Sequence, residues 1–129
     1  MPTALQPRKA KMIANDYRLI IIWVSPAQAR LFHRPVNGTG PGDLTADWIE
    51  SLEGLSGPAQ FFEAIRKKIF PFQNLVILGP DMKKFHFRTF LQEQSPDLFR
   101  KVIGFETVSD ISSALGNAFL EKYQKLLTP

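Results

Sequence analysis

Apolar residues recur along this chain in two rhythms. Leu19 to Val24 is an unbroken apolar run, the pattern of a strand buried on both faces. Ser25-Pro26-Ala27-Gln28 carries turn chemistry, with Pro preset at the second position, and Ala29 to His33 returns as a second strand. The two form a hairpin. Turn residues fill Pro35 to Gly42. Leu44, Trp48, Ile49 and Leu52 then share one helical face, with Thr45 as an N-cap; a short strand is the alternative over this segment.

Pro58 suits the first position of a helix whose apolar face is Phe61, Phe62, Ile65 and Ile69, and Pro71 ends it. Asn74 to Leu78 is a strand. Asp81 to Gln94 follows as a helix striped by Phe87, Phe90 and Leu91, and Ser95-Pro96-Asp97 opens a helical turn through Phe99. Val102 to Thr107 is a strand. Ser109 is the expected cap of a last helix burying Ile111, Leu115, Phe119 and Tyr123. A hairpin followed by α-β-α-β-α predicts a mixed sheet, partly antiparallel and partly parallel, with flanking helices: an α/β fold with α+β character. Residues 1–15 read as a loose basic arm and 16–129 as one domain.

Three stretches carry a resemblance. IIWVSPAQARLFH is similar to the opening hairpin of the middle domain of the eukaryotic and archaeal peptide chain release factor and its Pelota relative. LGPDMKKFHFRTFL resembles that family's Gly-Pro-Gly turn followed by Lys, an aromatic and Leu, with Lys84, Phe87 and Leu91 in those places. LFRKVIGFETVSD resembles its basic helix end and Val-Asp step. The likeness is closer to short bacterial proteins of the superfamily, called translational-machinery-like proteins. It implies a ribonuclease H-like sheet, shared with ribosomal proteins of the S11 and L18 type, and a cytoplasmic protein working near ribosomes or RNA.

The departures matter. Release factors hydrolyse peptidyl-tRNA with a Gly-Gly-Gln loop, whereas this chain reads GLSGPAQFFEAI, so Gln60 is preceded by Gly-Pro-Ala. Pro-Ala withholds the backbone freedom that paired glycines give. The stretch before Gln60 is acidic, which repels RNA phosphates. Gln60 is kept as a catalytic candidate, but the expectation leans away from an enzyme. Stop-codon-reading and GTPase-binding domains are not expected within these 129 residues.

Composition adds charge asymmetry. Net charge is +4, with 44% hydrophobic and 22% charged residues. From Pro35 to Gln60 there are four acids (Asp43, Asp47, Glu50, Glu53) and no base. From Phe61 to Gly104 eight bases (Arg66, Lys67, Lys68, Lys83, Lys84, Arg88, Arg100, Lys101) face four acids. Those eight are the candidate nucleic-acid-binding residues. Trp48, in the acidic segment, and Phe85, off the apolar face of its helix, are the candidate partner-binding residues. Phe85 is expected under a loop, with base stacking as its functional alternative. A protein-interaction or oligomerising role through the acidic segment is the rival to RNA binding.

Other chemistry is thin. No cysteine exists, so disulfides, thiolate metal sites and thiol nucleophiles are excluded. The two histidines, His33 and His86, show no metal-ligand spacing, and no metal or cofactor is expected. Gly79-Pro80-Asp81 lacks the P-loop pattern and puts an acid where a phosphate would sit; it is expected to join a strand to a helix. A ribonuclease-type metal site needs converging carboxylates, and only Asp81, Glu106 and Asp110 lie near strand ends, with Ser25 where relatives carry Asp. No apolar run approaches the ~20 residues of a membrane span.

Overall fold

The structure is a computed structural model that describes residues 17–35, the backbone of 45–49, and 57–127. Among the described residues five strands form one sheet: β1 (Ile20–Val24), β2 (Ala29–His33), β3 (Thr45–Ile49), β4 (Leu75–Gly79) and β5 (Val102–Thr107). Their spatial order is β3-β2-β1-β4-β5. β2 pairs antiparallel with both β1 and β3, and β4 pairs parallel with both β1 and β5. The helices are α1 (Pro58–Ile69), α2 (Lys83–Gln94), the single turn α3 (Pro96–Phe99) and α4 (Ser113–Leu127).

Two layers cover the sheet because strand side chains alternate. Ile20, Ile22, Leu75 and Ile77 face α1 and α2, meeting Phe61, Ile65, Phe87 and Leu91. Ile21, Trp23, Val76 and Leu78 face α4, meeting Leu120 and Tyr123. Every residue of β1 and β4 is buried, as strands sandwiched on both faces must be. The Trp23 indole N–H donates to the Val108 carbonyl (3.0 Å) and Arg30 to the Ile111 carbonyl (3.0 Å), pinning the loop after β5 across the α4 face.

The order and the mixed sheet agree with expectation; two boundaries do not. Of the two readings open for Thr45 to Ile49 the strand holds: it pairs residue for residue with Ala29 to His33. Ladder hydrogen bonds along β2 outweigh a helical spacing in a segment rich in β-formers. The last helix begins at Ser113, and its cap is Ser112, whose hydroxyl accepts from the Leu115 N–H (3.1 Å). Ser109 cannot serve, because the bonds from Trp23 and Arg30 hold 108–111 against the sheet. α2 begins at Lys83, since the Asp81 carboxylate accepts the Lys83 N–H (3.0 Å) in a turn before the helix. The expected arm 1–15 and the acids Asp43, Glu50 and Glu53 lie outside the described residues.

Gly79 answers a packing need. A Cβ there would run into the Val24 carbonyl and meet the Lys84 Cβ at 3.2 Å. Glycine lets the ends of β1 and β4 close up and leaves room for the lysine stem.

Candidate nucleic-acid interface

Parallel pairing sorts the chemistry by sheet edge. The amino ends of α1 and α2, and hence Gln60, Asp81 and Lys83, fall at the carboxyl edge of the parallel strands. The carboxyl end of α1, the α3–β5 link and the start of β1 fall at the amino edge. The basic cluster of the sequence therefore divides. Lys83, Lys84 and Arg88 belong to α2, whereas Arg66, Lys67, Lys68, Arg100 and Lys101 cluster toward the amino edge.

The eight cations are not equivalent. Arg66 is bound by Glu63 through Nε and a second contact (Nε to Oε1, 2.8 Å), and that guanidinium holds the Glu63 carboxyl below its ordinary value. Arg100 pairs with Asp97 at 2.6 Å, and Lys101 donates to the Phe72 carbonyl at 3.1 Å. Lys67 and Lys68 are exposed. Lys84 is only 3% exposed; its ammonium donates to the Asp81 carbonyl at 2.8 Å. Of the doublet Lys83-Lys84, Lys83 is half-buried and Lys84 is buried beside the helix start.

Phe85 lies against β5, not under a loop. Its ring meets Phe105 edge-on at 4.9 Å and remains 36% exposed. Arg88 places its guanidinium 4.4 Å from the Phe105 centroid and 5.6 Å from that of Phe85. Lys84 Nζ approaches the Phe85 ring at 4.9 Å, and Lys83 Nζ the Phe62 ring at 5.8 Å. The result is a cation–aromatic patch spanning α2 and the edge strand. Beside it, Pro26, Asp81, Met82, Lys83 and His86 line a shallow concavity. Phe105 and this patch were missed in the sequence because Phe105 sits 20 residues from Phe85; only the parallel pairing of β5 with β4 brings them together.

Gln60 is exposed in the first turn of α1, after Gly57 at φ 150, a conformation that suits glycine. Asp110 is exposed in the loop that leads to the opposite layer, and Lys84 is buried. None of the three lines the concavity beside α2. Glu106 is engaged by Lys122 (2.8 Å) and by the Tyr123 hydroxyl. Among the described residues no three His, Asp or Glu side chains are placed to hold a metal ion, and no helix is long and apolar enough to cross a membrane. His33 ends β2, buried against Phe72 at 5.2 Å between ring centroids. Trp48 stands opposite Arg30 on β3, an edge strand of the sheet.

This chain superposes on solved Pelota proteins. For Pelota of Archaeoglobus fulgidus the TM-score is 0.56 at 19% identity, covering 82% of this chain and 31% of that one. For the Thermoplasma acidophilum protein it is 0.57 at 16%, covering 88% and 34%. An archaeal translation termination factor superposes more loosely, at 0.42 and 12% identity, over 84% and 39%, and adds no weight. The fold is that of a Pelota domain. The chain spans about a third of the length of the Pelota proteins it matches. No protein-family model matches it, and no curated protein does.

Proposed function

We propose that this chain is a non-catalytic binding module related to translation factors, acting in the cytoplasm on RNA, alone or within the ribosome, through the α2–β5 face. One observation carries the reading: Arg88 lies across Phe105 and Phe85 on an accessible face, with Lys83 on the same helix. A stacked guanidinium keeps its N–H edge for phosphate, and a half-exposed ring offers a platform for a base. The Pelota-like fold supports a setting in translation. Lys67 and Lys68 extend the positive field along α1.

The test is a gel shift with single-stranded RNA across salt. Wild type should lose affinity with a log–log slope of roughly −0.7 per phosphate contacted. Salt-independent binding, or affinity unchanged in a Lys83→Glu/Arg88→Glu double variant, would sink the proposal.

A second reading, self-association or a protein partner, is favoured by the position of Asp47 and Trp48 on the strand that is outermost among the described residues, since an edge strand offers its backbone for pairing. Sedimentation over a salt series separates the two: a monomer at every salt concentration removes self-association.

A further inference from the structure

Among the described residues β5 is the outermost strand on its side of the sheet. Which of its backbone groups face outward follows from the ladder. The Val108 N–H donates to the Gly79 carbonyl at 2.9 Å, and Gly79 stands opposite Thr107. In a parallel pair a residue bonds the neighbours of its partner, so the inward groups are those of Glu106 and the Val108 N–H. Alternation turns the N–H and C=O of Phe105 and Thr107 away from β4. No residue among those described bonds them.

The edge is blunted only at its amino end. There Ile103 bulges out of register with β4, a common protection of an edge strand. The carboxyl end has no such device. Glu106, the one charged side chain of β5, is held on the α4 face by Lys122 (2.8 Å) and Tyr123, and Thr107 is exposed. On the α2 face the Arg88 guanidinium lies 4.4 Å from the Phe105 centroid, and no carboxylate among the described residues pairs with it. An open strand edge beside a cation without a counter-ion suits an extended chain that carries an acid.

We infer that the β5 edge takes an extended acidic peptide as an added antiparallel strand, paired to Phe105 and Thr107, with its acid on Arg88. A peptide residue opposite Phe105 exchanges both backbone bonds with it, and the residue two before does the same with Thr107. Side chains directly opposite share a face, so a glutamate opposite Phe105 lies on the α2 side, within reach of Arg88. The residue before it stands opposite Glu106 and is best uncharged or basic. A second copy of β5 fits poorly, because antiparallel pairing centred on Phe105 brings two Arg88 guanidiniums together. RNA has no alternating N–H and C=O to complete this edge, so the RNA proposal shares Arg88 with the peptide but not the backbone groups.

Acetyl-Val-Thr-Glu-Val-Thr-amide is titrated into the full chain, followed by amide NMR shifts and hydrogen exchange. It is expected to saturate with a dissociation constant on the order of 1 mM and to slow exchange of the Phe105 and Thr107 amides. N-methylation of its glutamate removes the N–H given to the Phe105 carbonyl and should weaken binding about tenfold. Arg88→Gln should weaken the peptide about fivefold and leave a glutamine version of it unmoved. Absence of saturation overturns the inference. So does wild-type affinity in the N-methyl peptide or in the Arg88→Gln chain, or protection at Thr45–Ile49 in place of Phe105 and Thr107. A uridine hexamer that slows the Phe105 and Thr107 amides as the peptide does would overturn it too. The peptide titration contains no RNA, so this inference and the RNA proposal fail separately.

Discussion

Gly104 lies so close beneath the ring of Tyr123 that a Cβ at position 104 would fall 2.5 Å from Cε1, Cζ and the hydroxyl oxygen. The absent side chain lets α4 settle on β5 and brings the phenol to Glu106 two residues along. Gly104→Ala should therefore force the ring aside and destabilise the fold by about 1–3 kcal/mol. Urea unfolding checks this. In a double-mutant cycle with Tyr123→Ala the Gly104 penalty should largely vanish, since the clashing ring is gone.

Glu106 and Tyr123 give stability two opposite pH limits. The hydrogen bonds from Lys122 and then from Tyr123 hold the Glu106 carboxyl below its ordinary 4.5. A lowered carboxyl contributes stability that is present above 4.5 and is lost as pH falls through the lower folded value. Burial, then the bond to Glu106, pushes the Tyr123 phenol up to about 12 from 10.0. A raised phenol contributes stability that is full below 10 and is lost as pH rises toward 12. Unfolding free energy measured across pH should show Glu106→Gln flattening the acid limb and Tyr123→Phe the alkaline one. Equal acid limbs in wild type and Glu106→Gln would refute the assignment.

Ser112 replaces Ser109 as the cap of α4, and the two serines test it against each other. Ser112→Ala removes the oxygen that accepts the Leu115 N–H and should cost about 1 kcal/mol. Ser109→Ala, at an exposed position in the preceding loop, should change stability by less than about 0.5 kcal/mol. Thermal melts of both variants decide it.

What was legible in the sequence was local. β1 and β4 announce themselves as continuous apolar runs because both of their faces are covered, and α1 is bracketed by Pro58 and Pro71. Helix and strand stayed open at Thr45–Ile49 because four apolar residues fit a helical period as well as a strand, and the β2 ladder that decides between them is non-local. The error at Ser109 has the same origin, since the side chains that hold 108–111 to the sheet come from Trp23 and Arg30, about 80 residues earlier. The site was half legible for one reason. Charge could be counted along the chain, but which cations reach solvent depends on the sheet edge each is delivered to.

Lys84 separates fold from function in the motif that most resembles the release-factor middle domain. It is buried along Gly79, with its ammonium on the Asp81 carbonyl, while Lys83 and Arg88 on the same helix are only half-buried. Lys84→Met keeps the stem and removes the charge, so stability should change by less than about 1.5 kcal/mol. Lys84→Glu places an acid where the ammonium met a carbonyl and should cost about 3 kcal/mol or more. RNA affinity at moderate salt should be unmoved by Lys84→Met and should fall about tenfold with Arg88→Glu, whose guanidinium lies across Phe105 and Phe85. Urea midpoints and RNA titrations on the same three proteins read both quantities. If Lys84→Met weakened RNA binding as much as Arg88→Glu at unchanged stability, Lys84 would have to leave its buried seat to bind, and the division of labour drawn from its burial would be wrong.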